Sequence, residues 1–125
     1  MSAYILMENE EGETWIDSYS IKDLPFEIGP GAFKGLGGTI LGSASRLMML
    51  RIEQEIELAL HRAAPGVAIN LLGKVTVSGS QGSAVTLNPG DLLKIETKIR
   101  GAWAIVNNHK EEAYLALIVM PSDDS

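Results

Sequence analysis

The second half of the chain is a succession of short apolar segments separated by residues that favour turns. The segments are rich in Val, Ile and Leu, and Gly, Pro, Asn or Ser stand between them. Short strands at such close spacing are typical of a β-sandwich or β-barrel. We therefore predict an all-β fold, with strands at Val67–Leu72, Lys74–Ser78, Ser83–Leu87, Leu92–Thr97, Ala102–Val106 and Ala113–Met120.

Residues 46–62 carry two conflicting signals. Their many Leu, Met, Glu, Gln, Ala and Arg residues favour a helix. From Leu50 to His61, however, apolar and polar residues alternate with a period of two, which indicates a half-buried strand. The alternation predicts strands here too, bent or broken near Gln54 and Glu55.

The length of 125 residues fits one domain with one hydrophobic core. We predict an N-terminal arm at residues 1–45 that belongs to the same domain and contains turns and one or two short strands. The barrel or sandwich itself spans residues 46–121, and the polar residues 122–125 form a frayed tail. The glycines between Gly29 and Gly38 indicate turns, because the Gly-Lys-Ser/Thr ending of a phosphate-binding loop is absent.

Charge and composition exclude several classes of partner and site. The formal net charge of −6 and the scattered Lys and Arg residues oppose binding to nucleic acid. There is no Cys, so thiolate metal sites, Cys nucleophiles and disulfides are excluded. The first residues have no basic flank like that of a signal peptide, and no apolar run approaches the roughly 20 residues that a membrane span needs. These features predict a cytoplasmic protein without a membrane partner.

A turn at residues 87–91, Leu-Asn-Pro-Gly-Asp, leads into one of the predicted strands. Together with the segments 66–77, 101–108 and 112–119, it resembles the core of a small single-domain cupin. The resemblance covers roughly residues 28–121. It implies a small antiparallel β-barrel of the jelly-roll type, of about eight to ten strands, with an extended N-terminal arm.

The residues at the expected metal-ligand positions of a cupin are mostly unable to bind metal. In the first motif Gly73 matches the closing glycine, which places Gly66 at the glutamate position, His61 at the second histidine and Ala59 at the first. Because a transition-metal site needs three or four converging ligands, we predict that no metal and no other cofactor is bound.

The second cupin motif can be aligned in two registers, and both lack a ligand. The spacing of Gly101, Ala104 and Asn108 places Ala104 at the histidine position, whereas a register counted from Gly90 places Gly101 there. Trp103 faces the cavity only in the second register, because side chains alternate along a strand. It is then either a core or interface aromatic or a platform on which a ligand stacks.

The resemblance implies a barrel cavity that binds a small, largely apolar organic molecule. Asn70 is its polar member, either as a buried amide satisfied by the backbone or as a hydrogen-bond donor to the ligand. The remaining predicted cavity residues are small or apolar and leave space for an organic ligand. With Asn70, the predicted substrate-binding residues are Trp103, Ala59, Ala68, Leu72 and Ala104.

His61 is the residue we expect to carry any catalysis. Histidine is the residue type best suited to give and take protons at physiological pH, and Glu57, four residues earlier on the same face of a strand, could assist it. Three functions remain open. The first is a metal-independent isomerase, lyase or cyclase, for example of natural-product biosynthesis. The second is a non-catalytic small-molecule-binding module or sensor. The third is a metalloenzyme that uses His61, Glu57 and Asn70 as ligands.

The face opposite His61 gives a prediction about assembly. If His61 points into the barrel, Leu58 and Leu60 lie on its outer surface, since neighbouring side chains alternate. Such apolar residues require cover from another sheet or chain. We therefore expect a homodimer.

Overall fold

The alternation of apolar and polar residues produces a protein built from strands. A computed structural model describes residues 1–28, 35 and 37–121. The described residues form the strands β1 (Ala3–Glu8), β2 (Thr14–Ser18), β3 (Glu27–Ile28), β4 (Gly37–Gly38), β5 (Arg46–Ile52), β6 (Ile56–Leu60), β7 (Gly66–Leu72), β8 (Val75–Gly79), β9 (Ala84–Leu87), β10 (Leu92–Ile95), β11 (Trp103–Asn107) and β12 (Ala113–Val119). No helix long and apolar enough to cross a membrane occurs in this part of the chain.

The strands form two main sheets rather than one closed barrel. One has six strands in the order β2-β1-β10-β7-β12-β5, and the other has four in the order β6-β11-β8-β9. A separate pair joins β3 and β4. All neighbours are antiparallel except β1 and β10, which are parallel. The prediction of an all-β protein is confirmed, and the closed barrel is replaced by two sheets.

Strand alternation is confirmed at residues 46–62, where β5 and β6 flank a break at residues 53–55. Glu55, in this break, has a φ of 51°. Leu58 and Leu60 pack against the core between the sheets, whereas Glu57 and Ala59 are exposed. The prediction that Leu58 and Leu60 lie outside is therefore wrong. The apolar set occupies the interior because its burial is what stabilises the sheet.

The first 18 residues are more ordered than the predicted arm. The β1–β2 hairpin extends the six-stranded sheet, and Leu6 and Ile16 belong to the core. Buried Thr14 links it to the four-stranded sheet, since its backbone N–H donates to Ser80 Oγ (2.9 Å) and its Oγ1 accepts from the Ser80 N–H (2.8 Å). The arm proper is confined to residues after β2, and the predicted tail at 122–125 lies outside the described residues.

The interior between the sheets is packed with apolar side chains. The cluster includes Leu6, Val77, Leu87, Ile99 and Leu115, all 3 % exposed or less. The prediction of a ligand cavity at the centre is wrong, because apolar side chains fill the space between the sheets.

Candidate functional site

Strand β7 is apolar on both faces, and this determines where a pocket forms. Ala68 points into the core, whereas Val67, also buried, is not part of the core cluster and faces the other side of the sheet. Its strand partner Lys94 and the β1 residue Ile5 share this outer face. A sheet with two apolar faces requires cover on both. Part of the outer face is covered by the segment after β2.

The covering segment and the outer face of the six-stranded sheet enclose a pocket, which we call the arm pocket. Its volume is about 250 Å³. That is room for about eight waters at roughly 30 Å³ each, and it exceeds the roughly 150 Å³ of an apolar cavity known to hold benzene. The lining residues are mainly apolar: Tyr19, Ile21, Leu24, Phe26, Thr39, Leu41, Val67, Leu92 and Lys94.

Two polar groups meet in the arm pocket. Lys94 Nζ donates a hydrogen bond to Tyr19 Oη at 3.1 Å and lies 4.9 Å from the centre of the Tyr19 ring. The aliphatic stem of Lys94 runs between apolar neighbours, which is the usual way for a lysine to leave its charge at the edge of an apolar surface. The arrangement combines apolar walls with one cationic, hydrogen-bonding corner, the general composition of a small-molecule site.

The predicted catalytic pair lies elsewhere. His61 and Glu57 are exposed, and neither lines the arm pocket or the groove at the loops described below. The prediction that they face a cavity is wrong, since the alternation of β6 points Leu58 and Leu60 inward instead. Ala59 is exposed on the same outer face and stands opposite Ala104 of β11.

Asn70 and Ala68, predicted to line a ligand cavity, are buried in the packed interior between the sheets. The Asn70 amide donates to the carbonyls of Gly73 (2.8 Å) and Leu87 (2.9 Å), which matches the structural interpretation of this residue. Its Oδ1 has no hydrogen-bond partner among the described residues. Asn70 thus ties two turns together at one end of the sandwich.

The remaining predicted site residues lie in different parts of the structure and do not form one site. Trp103 is 9 % exposed, belongs to the core and donates through Nε1 to the Arg62 carbonyl at 3.1 Å. Ala104 therefore faces outward, and Leu72 is 61 % exposed at the end of β7. Gly66 has no space for a side chain, because a Cβ there would clash with the Ile118 carbonyl oxygen.

A second, polar groove of about 500 Å³ lies at the loops of one end of the sandwich. The exposed side chains of Lys74, His109, Lys110 and Glu111 line it. Cationic and anionic groups are mixed there. No three His, Cys, Asp or Glu side chains come together as possible metal ligands anywhere in residues 1–28, 35 and 37–121.

Sequence reasoning missed Tyr19 and Lys94 as site residues. Lys94 is a single charge within the apolar strand β10, and β7 is apolar in consecutive positions rather than alternate ones. The lone charge in β10 and the consecutive apolar residues in β7 both indicate that another segment covers the outer face of this sheet. The identity of that segment depends on how the chain returns over the sheet, which local patterns do not specify.

No protein-family model matches this chain, and no curated protein matches it. The arm pocket and the fold are therefore the observations on which a function can be based.

Proposed function

We propose that the protein binds a small, largely apolar organic molecule in the arm pocket. The observation that carries the proposal is the pocket itself, about 250 Å³ with apolar walls and a polar pair, Lys94 and Tyr19. The class of ligand is the one expected from the sequence. Its location differs, because the ligand lies on the outer face of the six-stranded sheet instead of between the sheets.

Binding of toluene, followed by NMR of the methyl groups, tests the proposal. We expect saturable shifts at methyl groups that line the pocket, such as those of Leu24, Val67 and Leu92. Leu92→Trp fills the pocket from the sheet and Leu24→Trp fills it from the covering segment, so each should reduce affinity at least tenfold, about 1.4 kcal/mol. The matched control is Leu72→Trp, because Leu72 is exposed and lies outside the pocket.

Thermal unfolding establishes that each variant is folded before its affinity is compared. Shifts confined to core residues such as Ala68, or equal loss of affinity in Leu72→Trp, would overturn the arm pocket as the site. So would the absence of saturable binding up to the solubility of toluene.

We further propose that the fold is a cupin-type jelly roll extended by the β1–β2 hairpin. The orders β5-β12-β7-β10 and β6-β11-β8-β9 support this. From β5 to β12 the chain passes between two four-stranded groups at every connection except the β8–β9 hairpin, as in a double-sheet jelly roll. Metal-independent catalysis by His61, and a cytoplasmic location, remain predictions from the sequence. The exposed position of His61 favours the binding function over the catalytic one.

A homodimer is the second part of the proposal, and strand β5 carries it. β5 is an edge strand, and its outward side chains Leu47 and Met49 are 76 % and 62 % exposed. An apolar edge of this kind is normally covered. If two copies of β5 pair antiparallel about Met48, Leu47 lies opposite Met49 of the partner subunit. Arg46 and Arg51 then lie opposite Leu50 and Ser45 of the partner subunit, so like charges do not meet.

A further inference from the structure

Lys94 has an unusual electrostatic setting for a protein of net charge −6. Its neighbours across the strands are Ile5 and Val67, both buried and apolar. Within the described residues no carboxylate lies within salt-bridge distance of its ammonium group, and its polar contact is Tyr19. A partly buried charge in an apolar setting is costly unless it is paired. Asp17 lies on the same face, one strand beyond Ile5. Within the described residues, the ammonium group of Lys94 therefore has no carboxylate in direct contact.

The donors at this corner are only partly used. An ammonium group has three N–H donors, and Lys94 directs one of them at Tyr19 Oη. Because Tyr19 accepts that bond, its own O–H is available to donate. An ammonium donor and a phenolic donor therefore stand side by side at the polar end of an apolar pocket.

We propose that the ligand of the arm pocket carries a carboxylate, held by Lys94 and Tyr19, on a short apolar body. This inference rests on the proposed binding function and specifies its ligand class. The two oxygens of a carboxylate match the two kinds of donor, and its single charge neutralises the single ammonium. A phosphate dianion requires more positive charge than one lysine supplies, and a neutral molecule leaves the ammonium unpaired.

Matched pairs of probes test the carboxylate. Hexanoate and 1-hexanol share an aliphatic body, and benzoate and benzyl alcohol share an aromatic one, so the pairs also distinguish aliphatic from aromatic acids. We expect each acid to bind roughly tenfold more tightly than its alcohol, as is typical of a charge-assisted hydrogen bond at a partly exposed site. The preference should weaken in 0.5 M salt because of screening.

Two variants and one control test whether the preference for acids arises from Lys94 and Tyr19. Lys94→Met keeps the apolar stem and removes the charge, so the acids should lose their advantage while the alcohols bind as before. Tyr19→Phe removes one donor and should reduce acid binding by a smaller factor. Lys74→Met removes an exposed lysine outside the pocket, with the same change in net charge, and should leave the preference intact.

The outcomes distinguish a failure of the carboxylate assignment from a failure of the proposed binding function. If alcohols and acids bind the pocket with equal affinity, or if Lys94→Met retains the preference, the carboxylate assignment is wrong and the apolar binding function survives. If no probe binds, both fall. If Lys74→Met loses the preference as Lys94→Met does, long-range charge rather than contact at Lys94 is responsible, and the assignment is again wrong.

Discussion

At the scale of single residues, Asn70 shows how a polar group in the core is assigned a role. Its side chain is fully buried, and its amide donates to the carbonyls of Gly73 and Leu87. The two donor bonds fix the orientation of the amide, because a flipped Asn70 would direct its oxygen at these two carbonyl oxygens. Its position on the inner face separates it from the arm pocket.

Asn70→Asp is predicted to destabilise the fold without changing toluene affinity. The carboxylate cannot donate to the two carbonyls and introduces a buried charge, so we expect a loss of about 3 kcal/mol or more in the free energy of unfolding. Urea unfolding and the NMR titration measure the two effects. Asn108→Asp, in an exposed turn, is the control. Weaker toluene binding by a fully stable Asn70→Asp variant would instead support a role at the ligand.

Asp91 stabilises the turn after β9, where Gly90 has a φ of 93° and the Asp91 N–H donates to the Asn88 carbonyl. Pro89 and Gly90 occupy the positions that a type II turn requires. Burial by itself raises the pKa of Asp91, but hydrogen bonds from the backbone amides of Ser2 (2.7 Å) and Asn88 (2.8 Å), with the nearby amino terminus, outweigh it. The net result is a lowered pKa.

Asp91→Asn is therefore predicted to cost stability in a pH-dependent way. Because folding lowers this pKa, the contribution of the ionised group is complete above the ordinary value of about 3.9 and is lost as pH falls through the lower folded value. We expect Asp91→Asn to lose about 1–3 kcal/mol at pH 7 and clearly less at pH 2.5, measured by urea unfolding. Asp23→Asn, at an exposed position, is the control. An equal loss at both pH values would contradict this account.

At the scale of elements, β5 combines an open edge with exposed apolar side chains. If it forms the dimer interface, Met49→Lys and Leu47→Lys should convert a dimer into a monomer, because each places a charge at the pairing strand in both copies. Sedimentation measures the change. Leu72→Lys is the control, since Leu72 is equally exposed on β7. A wild-type protein that sediments as a monomer at micromolar concentration would end the proposal.

Local patterns predicted the strands correctly, but the inward face of β6 was assigned wrongly. The alternation from Leu50 to Leu60 identified β5 and β6 over a helix, and the Pro89-Gly90 turn marked the start of β10. The inward face of β6 was assigned from the cupin resemblance instead of from Leu58 and Leu60. Since the apolar face of a half-buried strand faces the core, the residues themselves contained the better answer.

Local patterns also leave open which sheet a connection leads to. The glycine-containing turn at residues 78–82 has the composition of a hairpin turn, and it joins β8 and β9 of one sheet. The turn after Asn107 carries a similar signal, yet it passes from one sheet to the other, because β11 and β12 pair with different partners. A turn signal specifies a reversal of the chain and leaves open which sheet receives the next strand.

At the scale of the whole molecule, the candidate site depends on long-range placement. Tyr19 follows the N-terminal hairpin, while Lys94 lies 75 residues later on β10. The pairing of β1 with β10 brings these two regions together. The position of the candidate site depends on the order of strands in the sheet, which composition does not specify.

The parallel pairing of β1 with β10 also sets the timing of folding on the ribosome. The Ser2 N–H donates to Asp91, 89 residues later. At about 5–20 residues per second, β1, which pairs with β2 on one side, waits roughly 4–18 s for its neighbour on the other side to be made. Through this interval the hairpin that carries Leu6 and Ile16 lacks the strand that joins it to the rest of the six-stranded sheet. The β1–β2 hairpin is thus synthesised well before the strand that attaches it to the sheet, and the nascent protein must tolerate that delay.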